Sequence, residues 1–105
     1  MMIFKVSEQF TDAPGGRLRK HGPKSGEELR DDFLIPLLRS NPNEKLVIDF
    51  DGIYGIGIST LDEIFYGIGK CFGESIINRI EIKSDEEPEL IEASMKCMME
   101  GTLEN

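Results

Sequence analysis

The chain contains no tryptophan, one histidine and two cysteines among its 105 residues, and each shortage removes a class of function. Cys71 and Cys97 have no C-x-x-C spacing and no second pair beside them, which excludes a structural zinc site and a thioredoxin-like redox motif. Both fall in stretches that read as helix and are expected to be buried free thiols. The single histidine, His21, lies among glycines and prolines, where nothing would hold it rigid beside a nucleophile, so Ser-His-Asp and Cys-His catalysis are not expected. No apolar run approaches the roughly 20 residues that span a bilayer. Glu8 interrupts the apolar start before a signal-peptide core could form, so the protein is expected to stay in the cytoplasm. Cations are the scarcer charge: twelve Lys and Arg stand against twenty Asp and Glu, for a net charge of −8. An acidic surface of this kind is a poor match for nucleic acid or an anionic membrane.

What is present fits one α/β domain over residues 1–105, with 39% apolar residues to build a core. Met2–Val6 reads as a strand, and Lys45–Phe50 as the clearest strand, apolar enough to be central and parallel. Ile76–Lys83 reads as another. Between the first two lies a loop, 11–24, rich in glycine and proline, with room for a short strand near Arg17–Lys20. Loops of that length are usually functional or disordered, and this one is expected to be mobile. Ser25 and Glu28 form a capping box. The helix they open carries Leu29, Phe33, Leu34, Leu37 and Leu38 on one face and should kink or break at Pro36. A second helix is capped by Ser59, whose hydroxyl is placed for the Asp62 amide, and buries Leu61, Ile64, Phe65, Ile68 and Phe72. Gly67 and Gly69 weaken it by up to about 1 kcal/mol each relative to alanine, a cost usually met where a backbone must approach closely. Pro88 starts a last helix that buries Leu90, Ile91, Met95 and Met98 and frays over 101–105. Alternation of strand and helix predicts a mixed or mostly parallel sheet of about four strands covered by about three helices.

Two stretches could carry chemistry. From Pro14 to Lys24 there are four cations and no acid. Arg17, Arg19 and Lys24, with Ser25 and Gly26 at a helix N-terminus, could receive a small anion. Gly22-Pro23-Lys24-Ser25 is not a P-loop, because no glycine stands five residues before the lysine. Asp49 and Asp51 end the central strand on one side and could hold magnesium. Alternatively Asp49 caps or pairs with Arg30 and Asp51 braces the glycine turn, and this structural reading is preferred. The Gly55-x-Gly57 pair imitates a dinucleotide fingerprint, but a Rossmann domain needs more strands than this chain can supply, so no cofactor is expected. Met95, Met98 and Met99 could form an adaptable contact surface, though at helical spacing they are more often core.

The runs Pro14-Gly15-Gly16-Arg17 and Gly22-Pro23-Lys24-Ser25-Gly26-Glu27, then Arg30 and Leu34-x-Pro36-x-Leu38, are followed by Val47-Ile48-Asp49-Phe50-Asp51-Gly52 and by Tyr54-Gly55-Ile56-Gly57-x-Ser59-x-Leu61-Asp62-Glu63. Over about residues 3–85 this pattern resembles the STAS-like domain family of unknown function, related to anti-sigma factor antagonists. The resemblance implies a non-enzymatic regulatory module that binds a protein, with a kinase-like ATPase of the anti-sigma type as the implied partner. Docking is implied at the strand-turn-helix unit, through Asp51, Tyr54, Gly55, Gly57, Ser59, Asp62 and Glu63. In true antagonists the partner phosphorylates a serine at the start of this helix. Aligned on Leu61, that position falls on Ile58, and Ser59 follows it as the one remaining candidate acceptor. A sensor of a small anion such as a nucleotide, using loop 14–26, is the alternative, and a homodimer is compatible with either.

Overall fold

The computed structural model describes all residues, 1–105, as an all-parallel sheet with its helices on one side. Strand β1 (Met2–Lys5) pairs with β2 (Leu46–Asp49), and β2 with β3 (Ile80–Lys83), in the order β1-β2-β3. Between β1 and β2 come a single turn, α1 (Val6–Gln9), a short 3₁₀ turn at Arg19–His21, and a continuous helical run. That run consists of α2 (Gly26–Glu28), a π-helical stretch (Leu29–Leu34) and α3 (Ile35–Ser40). Helix α4 (Ile58–Phe72) joins β2 to β3 by way of a 3₁₀ turn at Glu74–Asn78, and α5 (Glu89–Thr102) follows β3.

The sheet has three strands, where about four were expected. Arg17–Lys20, the candidate for an extra strand, folds as a loop and 3₁₀ turn, and the first half of Ile76–Lys83 is the second 3₁₀ turn. Strand order follows chain order, so crossovers of the usual right hand put every connecting helix on one face. Two in-register rows, Met2–Leu46–Ile80 and Phe4–Ile48–Ile82, supply that face. They pack against Leu29, Leu34 and Leu38 from the first helical run and Leu61, Ile64, Phe65 and Ile68 from α4. The alternate rows, Ile3–Val47–Glu81 and Lys5–Asp49–Lys83, form the other face, where Ile3, Glu81 and Lys83 are exposed and only the central Val47 and Asp49 are buried.

The break foreseen at Pro36 takes a particular form. Proline cannot donate to the carbonyl of Asp32, and the chain absorbs this one turn earlier, where the Ile35 amide reaches back five residues to the carbonyl of Arg30. The wider turn explains why buried Leu29 and Leu34 are five apart while Leu34 and Leu38 are four apart.

Helix α5 departs from expectation at three places. Ile91 is exposed, Met95 is half-buried, and the segment after Gly101 does not simply fray, since the Asn105 side chain donates to the carbonyl of Lys70. Gly69 of α4 and Gly101 of α5 are both buried at the crossing of the two helices. A β-carbon at Gly69 would collide with the carbonyl of Met98, and one at Gly101 with that of Tyr66. The cysteines are less buried than expected: Cys71 is exposed and Cys97 half-buried. Burial first, then the Asp62 carboxylate, push the Cys97 thiol up to about 11, so it is protonated at neutral pH.

Candidate functional site

The C-terminal ends of β1, β2 and β3 converge on one cluster of charge. Asp49 accepts from the Asp51 amide at 2.8 Å, which bends the chain out of β2 into the glycine turn. Its other oxygen lies 3.5 Å from the Lys5 ammonium and 4.0 Å from that of Lys83. Lys83 donates to Asp51 at 2.8 Å, and Asp51 accepts from the Glu86 amide at 3.0 Å while Glu86 accepts from the Gly52 amide. Gly52 holds a φ of 93°, a left-handed value that glycine tolerates without strain. Asp49 therefore braces the turn and does not pair with Arg30. Asp51 locks the turn to the loop after β3. With Lys83 between them, the two carboxylates form an internal ion cluster and do not present a free pair to a metal.

These contacts have a pH consequence. The Glu86 amide and then the Lys83 ammonium hold the Asp51 carboxyl down at about 2, from an ordinary value of 3.8. Lys83 is raised in turn, first by Asp51 and then by Asp85. A depressed carboxyl stabilises the fold fully above its unfolded pKa and ceases to do so as pH falls through the folded one. Asp51 should therefore contribute to acid unfolding between about pH 4 and about pH 2. Urea midpoints measured across that window should fall less steeply for Asp51→Asn than for the parent chain.

The basic loop, expected to be mobile and free to receive an anion, follows a defined path. Its two arms are joined by backbone hydrogen bonds from Gly15 to Lys24, Gly26 to Gly16 and Glu27 to Arg17, at 2.8–3.0 Å. Ser25 caps α2 by accepting from the Glu28 amide at 3.1 Å, and Glu28 accepts from Lys24, one residue before the expected partner. The amides of Gly26, Glu27 and Glu28 thus all have partners inside the chain. Three of the four cations are engaged as well. Arg19 makes a two-pronged bond to Asp32, at 2.7 and 2.9 Å, Arg17 lies 3.3 Å from Glu63, and the Lys24 ammonium sits over the Phe10 ring. Glu63 also pairs with Arg30, whose side chain lies across Gly67, so a carboxylate expected at a docking surface clamps the loop to α4 instead.

At the start of α4 the residue that carries structure is Thr60, which sequence reasoning passed over. Gly57 is the N-cap, and Ser59 makes no capping bond: it sits exposed in the first turn. Thr60 is buried, and its hydroxyl donates to the Gly15 carbonyl at 3.1 Å, which ties loop to helix. The signal was present, because Thr60, Ile64 and Ile68 form a buried row at i, i+4 and i+8. Ser59→Ala should change stability by less than about 0.5 kcal/mol. Thr60→Val, which leaves the half-buried Gly15 carbonyl without its donor, should cost about 1 kcal/mol in urea denaturation.

Of the remaining residues of the strand-turn-helix unit, Tyr54 and Ile58 are its large apolar side chains left in solvent, at 86% and 69% exposure. Tyr54 is fixed by its amide, which donates to the Asp12 carbonyl at 2.7 Å. Gly55 lies between Tyr54 and Ile56 in the same turn, and Asp62 is exposed on the first turns of α4. The family described as a STAS-like domain of unknown function matches residues 25–90, from the cap of α2 to the first turn of α5. The chain belongs to this family. Neither the curated proteins nor the solved structures contain a match to it. In this STAS-like domain the matched span holds the whole β2-turn-α4 unit, whereas most of α5 lies beyond it. No helix of the domain is long and apolar enough to cross a membrane.

Proposed function

We propose that this STAS-like domain is a non-enzymatic regulatory module that docks on a protein partner through the turn 51–57 and the first turns of α4. One observation carries the reading. At the C-terminal edge of the sheet every carboxylate of the turn is neutralised within the fold, while two large apolar side chains, Tyr54 and Ile58, stand in solvent on a rigid base. Such an edge is equipped for contact and not for proton transfer, since isolated exposed aromatics and aliphatics on fixed backbone are what interfaces bury at their centre. The family resemblance suggests a kinase-like ATPase of the anti-sigma type as the partner, in the cytoplasm. Ser59 is the hydroxyl available to such a kinase, because Ile58 occupies the usual acceptor position. A phosphate on Ser59 would add about −1.5 to −2 charge between Ile58 and Asp62 without disturbing a cap. It would change the docking surface and leave the fold intact.

The test is retention of an ATPase of that class by the immobilised domain and its variants. Ile58→Glu and Tyr54→Ala should each reduce retention at least tenfold with an unchanged melting temperature. Ser59→Asp should release the partner and Ser59→Ala keep it. Equal retention by all four would exclude this turn as the docking surface.

A further inference from the structure

The far end of α4 leads to a second surface with a different chemistry. Past Gly73, the 3₁₀ turn at Glu74–Asn78 and the outer side of α5 enclose an open groove of about 880 Å³. Its α5 wall is an apolar stripe at i, i+4 and i+8, formed by Met95, Met99 and Leu103, with Ile77 opposite. Met99 and Leu103 are 55% and 83% exposed, more than half of each side chain being left in water. The rim carries Glu74, Glu92 and Glu100 against a single cation, Lys96. Residues 74–105 hold nine acids and three cations. Of those cations Arg79 is spent on the carbonyls of Leu38 and Asn41, and Lys83 on Asp51 and Asp85.

We propose that this groove is a docking site for a basic amphipathic helix of a partner protein. A stripe of i±4 ridges rising about 12 Å along α5 is the surface that a second helix packs against. Methionine side chains adapt to whatever apolar face is offered. Charge selects the occupant. A second copy of this chain would bring the same acidic rim and be repelled, and so would nucleic acid or an anionic lipid surface. A helix with leucine-like residues at 3–4 spacing and flanking lysines or arginines meets both the apolar floor and the acidic rim. The α5 wall lies beyond the family match, whereas Glu74 and Ile77 on the opposite side lie within it. It shares no residue with the turn 51–57, and α4, about 22 Å long, separates the two.

A labelled 14-residue helix of leucines at 3–4 spacing and lysines, and its counterpart with glutamates for lysines, provide the test on the free protein. The lysine peptide should bind by anisotropy, with amide shifts in ¹⁵N–¹H spectra confined to residues 74–78 and 91–103. Affinity should fall at least tenfold in Met99→Ser/Leu103→Ser and in Glu92→Gln/Glu100→Gln. All four side chains are exposed, and an unchanged melting temperature will show that the variants fold. The glutamate peptide should not bind. Shifts centred elsewhere, equal binding of the two peptides, or full affinity in the Met99→Ser/Leu103→Ser variant would overturn the proposal. Concentration-dependent self-association abolished by that variant would assign the groove to a second copy and would equally overturn it. None of these readouts involves a partner at the turn, so the two surfaces stand or fall separately.

Discussion

Gly69→Ala is expected to lower the melting temperature by roughly 8–16 °C, although alanine is the better helix former. Helix propensity alone would favour the substitution by up to about 1 kcal/mol. Against this stands the crossing of α4 and α5, where the new methyl would meet the backbone carbonyl of Met98 and could not be accommodated by a side-chain rotation. Overpacking costs of this kind run to about 3 kcal/mol. For a domain of this size each kcal/mol corresponds to about 4–8 °C. The two effects have opposite signs, so thermal melts followed by circular dichroism decide between them directly. Gly101→Ala meets the carbonyl of Tyr66 and should behave in the same way. The double substitution should cost less than the sum, because the helices need move apart only once. A stabilised Gly69→Ala would mean that the helices do not approach as described.

Phe65→Ala should be the largest single truncation, at about 3–5 kcal/mol. The ring is fully buried and meets Phe50 edge to face at 6.1 Å, so it joins α4 to the residue that follows β2. Its loss removes the apolar contact and the aromatic pair together and leaves a cavity under the turn. Urea denaturation with unchanged slope would show a loss of stability in an otherwise native fold. A loss under about 1 kcal/mol would contradict the burial of this helix face.

These two residues also mark what the sequence reveals and what it withholds. The β2 strand and the buried face of α4 are legible because a continuous apolar run and a 3–4 repeat are statements about neighbours within one element. The need for a close approach at Gly69 is legible for the same reason, but its partner Gly101 is not. The ion pairs of the basic loop stay hidden because Asp32 and Glu63 lie 13 and 46 residues from Arg19 and Arg17, and nothing local announces them. Residue type alone makes Ser59 a candidate cap. Gly57, in extended conformation just before Ile58, takes that position and moves the hydroxyl into the first turn. Pro36 announces a break, yet whether it becomes a kink or a π-helical turn depends on where Leu29 and Leu34 find the sheet. In the docking unit, the sequence points to the segment but not to which of its side chains are left over once internal partners are taken. The structure leaves Tyr54, Ile58, Ser59 and Asp62 exposed, while Asp51 and Glu63 are engaged within the fold.

The match between strand order and chain order bears on how the domain is made. As the chain leaves the ribosome, β1 waits only for β2, and β3 then adds to an edge that already exists. No strand has to enter between two that have paired, so each β-α-β unit can close as soon as it is complete. Helix α4 is the exception to this order: its Gly69 flank stays bare until α5 has been synthesised. During translation the nascent domain therefore passes through a stage with a finished sheet and one open helix, and that helix is the surface a chaperone would meet.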